Sequence, residues 1–361
     1  MNSLSLYIHI PFCGRKCLFC SFVISVGQDH LHDRYVAALV GEMKNYQGQQ
    51  VNTVYLGGGS PSMLSDNQMG ILMEQIRKNF LLEVNAEITL EVNPENIDLS
   101  KASFYHSVGF NRISMGMQST NDRYLKFLGR AHNAHRALDA YGTLRTAGFT
   151  NINLDLMYAF PGQTQQELEE DVRGVARLKS EHLSLYTLTI EPHSRFYVTQ
   201  MKLEGEEKLA NHYLLIARIL DEYGFKQYEV SNFARGGFES IHNINYWQCG
   251  PYIGLGVGAH GFLGNRRYWH TSNLQQYLQK VTEGKTAVEG YEDLNADTRA
   301  TEKLLFGLRM NKGVSWGQVM ASKHTVIRSL IEGGFLVLED GFLKTTQQGR
   351  LVLDELSSRL A

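Results

Sequence analysis

The chain has 361 residues, 43% of them hydrophobic and 20% charged, with a formal net charge of -2. That length predicts roughly two domains and a sizeable core. No long Lys or Arg run occurs, so broad binding to a nucleic-acid backbone is not expected, and no window of about eighteen apolar residues predicts a membrane span.

The opening segment from Met1 to Pro11 has neither the basic start nor the apolar core of a signal peptide, and it reads as the first strand of the mature fold. Of four cysteines, three fall within eight residues. Such crowding argues against a disulfide framework and for thiolate chemistry in the cytoplasm, with peripheral membrane contact left open.

In chain order, short β-rich runs are expected at Leu4–Ile10, Thr53–Leu56, Glu87–Val92, Arg112–Met117, Ile152–Tyr158 and His182–Ile190. Helical stretches separate most of them. Asp33–Tyr46, for example, places Val36, Val40 and Met43 on one stripe. Strands alternating with helices predict a parallel sheet. Pro11, Pro61, Pro94, Pro161 and Pro192 each follow an expected strand, where a residue without an N–H ends the ladder harmlessly. Six β/α units are too few for the eight-stranded barrel, so the expectation is an α/β fold: a partial (β/α)6 barrel with a lateral mouth. Its functional rim would gather Cys13, Gly57–Ser60, Glu91, Gln118 and the loop after Asp155.

Beyond about residue 195 the alternation fades. Glu204–Tyr223 reads as a helix, Lys226–Phe233 as a strand and Tyr252–Phe262 as a glycine-rich strand or turn region. From about Asn295 helices lead to a hairpin at Gly334–Lys344 and a last helix, a small winged-helix-like α+β unit. The expected division is 1–195 for the partial barrel, 196–294 for an extension and 295–361 for the C-terminal domain.

Cys13, Cys17 and Cys20 place three thiolates on one short loop, enough for three corners of a cubane iron–sulfur cluster. A structural zinc would need a fourth ligand, for which only Cys249 or a histidine is on offer, and the spacing is not that of common zinc ribbons. Gly57, Gly58 and Gly59 follow a strand and let backbone approach a ligand closely. Asp155 alternates with the apolar Leu154 and Leu156, so its carboxylate faces the other side of its strand.

The segment Tyr7-Ile-His-Ile-Pro-Phe-Cys-Gly-Arg-Lys-Cys-Leu-Phe-Cys20 resembles the radical S-adenosylmethionine proteins related to oxygen-independent coproporphyrinogen III dehydrogenase. So do Gly57–Ser62, Glu91–Pro94, Gly116–Ser119, Leu128–His132 and Asn153–Gly162, and the likeness spans nearly the whole chain. The resemblance implies a [4Fe–4S] cluster on Cys13, Cys17 and Cys20, with one iron open to the amino and carboxylate groups of S-adenosylmethionine. It further implies that Gly58, Gly59 and Ser60 meet the methionine amino group, that Arg130 pairs with its carboxylate, and that Glu91, Gln118 and Asp155 serve the amino group and the ribose. Tyr7 and Phe19 would pack beside the cluster.

Within that family the dehydrogenases have a further cysteine two residues after the third, where this chain has Phe22, and a longer segment before the cluster loop. The hexapeptide His242-Asn-Ile-Asn-Tyr246-Trp247 instead resembles the HemW haem-chaperone branch. Ser21 and Cys249 depart from the branch pattern in small ways. An imidazole can ligate haem iron while Tyr246 and Trp247 offer flat faces to the macrocycle; Cys249, His260 and His270 are alternative ligands. The implied function is haem uptake and delivery to haem-requiring apoproteins, at a membrane surface, with an electron donor. The alternative is a radical oxidoreductase acting on a porphyrin or another large substrate. A nucleic-acid partner is not expected.

Overall fold

A computed structural model describes residues 4–361. Six parallel strands form its centre: β1 (Leu4–Ile10), β2 (Gln50–Gly58), β3 (Leu81–Val92), β4 (Arg112–Gln118), β5 (Ile152–Tyr158) and β6 (His182–Thr187). Within β1 one row, Leu6, Ile8 and Ile10, is fully buried in the same core as Tyr35, Val36, Leu39 and Met43 of the covering helix His32–Met43. The other row turns into the barrel, and across the strands it is polar. Register aligns Glu91 with Ser114, Ser114 with Asn153, and Asn153 with His182. Those side chains bond one another: Asn153 Nδ2 donates to Ser114 Oγ at 2.8 Å, and its Oδ1 lies 2.6 Å from His182 Nδ1. A barrel lined this way keeps its polar groups satisfied by one another, as burial requires.

The extension joins this sheet at both edges. β7 (Lys226–Gln227) and β8 (Asn232–Ala234) continue it beyond β6, while β9 (Tyr252–Leu255), β10 (His260–Leu263), β11 (Arg266–His270) and β12 (Val288–Asp293) continue it beyond β1. The order is β12-β11-β10-β9-β1-β2-β3-β4-β5-β6-β8-β7, with the two ends unpaired, so the barrel is open. β9 runs parallel to β1, adding a seventh strand to the parallel block.

The single strand expected over Lys226–Phe233 is instead two antiparallel pieces. The reason is Glu229: its carboxylate accepts from Ser231 N at 2.8 Å and Asn232 Nδ2 at 2.6 Å, closing the chain into a turn. The glycine-rich stretch is likewise β9 and β10, antiparallel, joined through Gly256 and Gly258 at positive φ.

The C-terminal part packs its own core around Leu304, Ile327, Leu330, Leu343, Leu356 and Leu360. Its hairpin, Leu336–Glu339 with Phe342–Thr345, turns on Asp340-Gly341, both at positive φ as a two-residue hairpin loop demands. Among the described residues no helix is long and apolar enough to cross a membrane.

Candidate functional site

At the C-terminal ends of the parallel strands, Cys13, Cys17 and Cys20 wall a cavity of about 340 Å³. Phe19, Gly58, Gly59, Ser60, Glu91, Gln118, Arg130 and Asp155 line the same space. Tyr7 does not: its hydroxyl donates to His9 Nδ1 at 3.0 Å and its ring stacks on Tyr55. His9 in turn donates from Nε2 to Val23 O at 2.7 Å, tethering the chain just after the cysteine loop.

Burial disfavours the charged form of two of the thiols. Burial, reinforced by the neighbouring cysteines, pushes Cys13 up to about 12, and burial likewise raises Cys20. A set of adjacent thiolates therefore suits a cation held among them. Among the described residues no three His, Cys, Asp or Glu side chains converge as a single-ion site. A cubane asks for no such convergence, since each thiolate binds a different iron. The donor set fits that group.

The rest of the cavity is pre-shaped. Gly58, at φ 107°, has the His9 ring where a β-carbon would stand, and a β-carbon on Gly59 would come within 2.7 Å of Pro11 backbone. Arg130 Nη2 donates to Asn93 Oδ1 at 2.6 Å and Gly116 O at 3.1 Å, and Nη1 lies 3.4 Å from Cys17 Sγ. Its Nε is buried and without a partner. A buried guanidinium N–H left open is costly unless an acceptor arrives, and a ligand carboxylate is the matching one. Burial pushes the Glu91 carboxyl up to about 7, opposed by donors from Tyr55 Oη at 2.7 Å and Gly58 N at 2.9 Å. Burial raises Asp155 as well, against a 2.7 Å bond from Asn153 Nδ2. Gln118 sits at φ 69°, a strained position for a residue with a β-carbon, and pairs with Leu156 just past an irregularity in the β4–β5 register.

A second, larger cavity of about 1030 Å³ shares Phe19, Cys20, Phe22, Glu91, Gln118 and Asp155 with the first. It runs through the barrel to the C-terminal part, where Arg309, Arg350 and Val352 form its wall.

His242 lies elsewhere. The helix Ile241–Trp247 closes the base of the barrel, its first N–H groups donating to Glu87, four residues and about 13 Å along β3 from Glu91. The imidazole is 1% exposed, with Nδ1 2.8 Å from Thr53 Oγ1, Nε2 2.9 Å from Tyr246 Oη, and its ring stacked on Tyr55. Burial lowers its pKa to about 3. In this arrangement both ring nitrogens are engaged by hydroxyl groups. Tyr246 and Trp247 face a third cavity, of about 360 Å³, together with Cys249. His260 is exposed, whereas His270 is buried with both nitrogens engaged, at 2.5 Å from Glu42 and 3.0 Å from Ala259 O.

Tyr55, Asn93 and Arg112 were not singled out from the sequence, yet Tyr55 holds Glu91 and Asn93 holds Arg130. Their signal was available in part: Tyr55 and Arg112 interrupt apolar strands at the same parity as Gly57 and Ser114.

A Radical SAM superfamily model matches residues 7–174 and a HemN C-terminal domain model matches residues 294–352. The heme chaperone HemW of Lactococcus lactis subsp. lactis is 38% identical over 316 residues, covering 86% of this chain and 82% of its own. That of Bacillus subtilis is 33% identical over 372 residues, covering 98% and 97%. Among solved structures, coproporphyrinogen III oxidase (HemN) from Escherichia coli, a radical SAM enzyme, superposes with a TM-score of 0.87 at 25% identity, covering 99% of this chain and 90% of its own. At such identities, sustained over most of both chains, the protein belongs to the HemW family of the radical SAM superfamily.

Proposed function

We propose that this protein is a haem chaperone, binding haem and passing it to haem-requiring apoproteins, with a [4Fe–4S] cluster and S-adenosylmethionine as resident groups. The observation that carries the reading is the joined pair of cavities: a small one walled by three thiols, opening into one of about 1030 Å³. Pockets for ordinary small molecules span about 300–1,000 Å³, so the larger space suits a ligand of tetrapyrrole size. The two curated relatives above are named for haem chaperoning.

In this reading Cys13, Cys17 and Cys20 hold the cluster, and Phe19 shields it. Gly58, Gly59 and Ser60 pass the methionine end of the nucleotide, Arg130 clamps its carboxylate, and Glu91, Gln118 and Asp155 receive the amino group and ribose hydroxyls. The bound pair supplies one-electron chemistry at the sulfonium. Burial raises the pKa of both Glu91 and Asp155, and a cationic ligand beside them would favour their charged forms. Delivery at a membrane surface and an external electron donor belong to the same proposal, as does cytoplasmic residence. A second reading, a radical oxidoreductase acting on a porphyrin, draws on the likeness to coproporphyrinogen III oxidase.

Anaerobic reconstitution, haem titration and transfer to apomyoglobin test the proposal. The chain should take up about four irons and four sulfides, lose them in the Cys13→Ser/Cys17→Ser/Cys20→Ser variant, bind haem and release it to the acceptor. Failure to bind haem would overturn the chaperone reading. Conversion of coproporphyrinogen III with cleavage of the nucleotide would establish the enzyme in its place.

A further inference from the structure

The large cavity contains three guanidinium groups from two parts of the fold. Arg112, on β4, is 1% exposed, and its Nε has no hydrogen-bond partner; Glu87 stands 3.9 Å away. Arg309 and Arg350 come from the C-terminal part. The first lies over the Trp247 ring at 4.7 Å and the second donates from Nη1 to Gln227 Oε1 at 3.1 Å. Both have a buried Nε without a partner. Neither forms an ion pair with a carboxylate among the described residues, although Arg309 stands near enough to the buried Glu229 to stabilise its charge.

Buried guanidinium groups with open N–H donors call for anionic oxygens, and carboxylates satisfy them two bonds at a time. The cavity's own acidic residues do not meet the need. Glu91 and Asp155 belong to the nucleotide end, and Glu191, Glu206, Asp354 and Glu355 are exposed, where water and salt screen them. Two aromatic residues that line the cavity are exposed, Phe22 at 65% and Tyr186 at 41%. The missing ligand is therefore large, flat and apolar on its faces, with carboxylates at its edge.

We propose that haem occupies this cavity, its macrocycle against Phe22 and Tyr186, and that Arg309 and Arg350 receive its propionates across the junction of barrel and C-terminal domain, with Arg112 as a further anchor on the barrel wall. The inference rests on the haem-chaperone reading and adds to it a site and a role for the C-terminal domain. Haem would then lie beside the nucleotide, through the shared wall at Cys20, Glu91 and Gln118, and away from the helix that carries His242.

The test compares haem with its dimethyl ester, in which both propionates are blocked, on the reconstituted full chain and on the R309Q/R350Q variant, by absorbance titration. Each lost charge-assisted bond is worth about ten-fold in affinity, so the double variant should bind haem about a hundred-fold more weakly. The parent should disfavour the ester by a similar factor, and the double variant should bind haem and ester alike. Should the double variant fail to fold, the comparison on the parent decides by itself. Equal affinity of the parent for haem and ester overturns the propionate clamp while leaving the chaperone reading intact, as does undiminished haem binding by a folded double variant. A parent that binds neither ligand overturns both.

Discussion

Replacing Arg130 by Lys keeps a positive charge near Cys17 but removes the planar fork, and the structure sets the size of the effect. In the parent the guanidinium is already fixed by Asn93 Oδ1 at 2.6 Å and Gly116 O at 3.1 Å, so the unpartnered Nε is free to meet the nucleotide carboxylate without reorganising. A lysine ammonium can serve Asn93 or the carboxylate as a point charge and cannot reproduce the paired geometry. The loss is one charge-assisted bond, about 1.5–3 kcal/mol, or roughly ten- to hundred-fold in affinity. Arg130→Ala should lose at least as much, and it also strips the donor from Asn93 and Gly116 O, at about 1–3 kcal/mol of stability. Anaerobic calorimetry with S-adenosylmethionine, on protein whose iron and sulfide content matches the parent, measures the first quantity; denaturant titration measures the second. Parent-like nucleotide affinity in Arg130→Lys would refute the carboxylate assignment, and loss of iron from Arg130→Lys would show that the residue supports the cluster instead.

Glu42→Gln should destabilise the chain by about 3–5 kcal/mol, because it breaks a buried pair with His270 and weakens the acceptor for Gly256 N and Tyr277 Oη; a change under about 1 kcal/mol by denaturant titration would contradict the network. Burial alone would lower the His270 pKa, but Glu42 outweighs it and raises the value, so this pair's stabilisation is full below pH about 6.5 and fades as pH rises through the folded value. Parent stability should thus fall more steeply as pH rises past about 6.5 than that of Glu42→Gln/His270→Gln. His242→Ala should cost about 2–4 kcal/mol in the haem-free chain, since Thr53 and Tyr246 lose a buried partner and a cavity opens beneath Tyr55. An unchanged midpoint without haem would contradict this structural role.

The central strands were legible because parallel strands buried on one side by helices read as short apolar runs, and most of them, β4 excepted, end at or shortly before a proline or glycine that punctuates the rim. The cysteine loop, glycine run, Glu91, Gln118, Arg130 and Asp155 converge in one cavity because they share that rim. What was not legible depends on distant partners. Nothing local to Lys226–Phe233 says that Glu229 will fold back on Ser231 and Asn232. The partners of His242, Thr53, Tyr246 and the Glu87 that anchors its helix, lie partly on strands more than a hundred and fifty residues earlier. Arg112 stands at the start of its strand with nothing local to mark it, and only the assembled barrel shows it buried with an open donor.

The pairing of β9 with β1 has a consequence for how the chain is made. Leu6 and Ile253, register partners, are separated by 247 positions (253 − 6). At ribosomal rates of about 5–20 residues per second, roughly 12–50 s pass between the two. Throughout that interval the strand leading into the cysteine loop has one hydrogen-bonding edge bare, the kind of edge that recruits foreign strands. Contacts of such long range also slow folding, because the loop must close before the pairing stabilises anything. Iron insertion during synthesis would therefore act on a nascent half-barrel, and a chain truncated after β6 would carry a complete cysteine loop on an unfinished sheet.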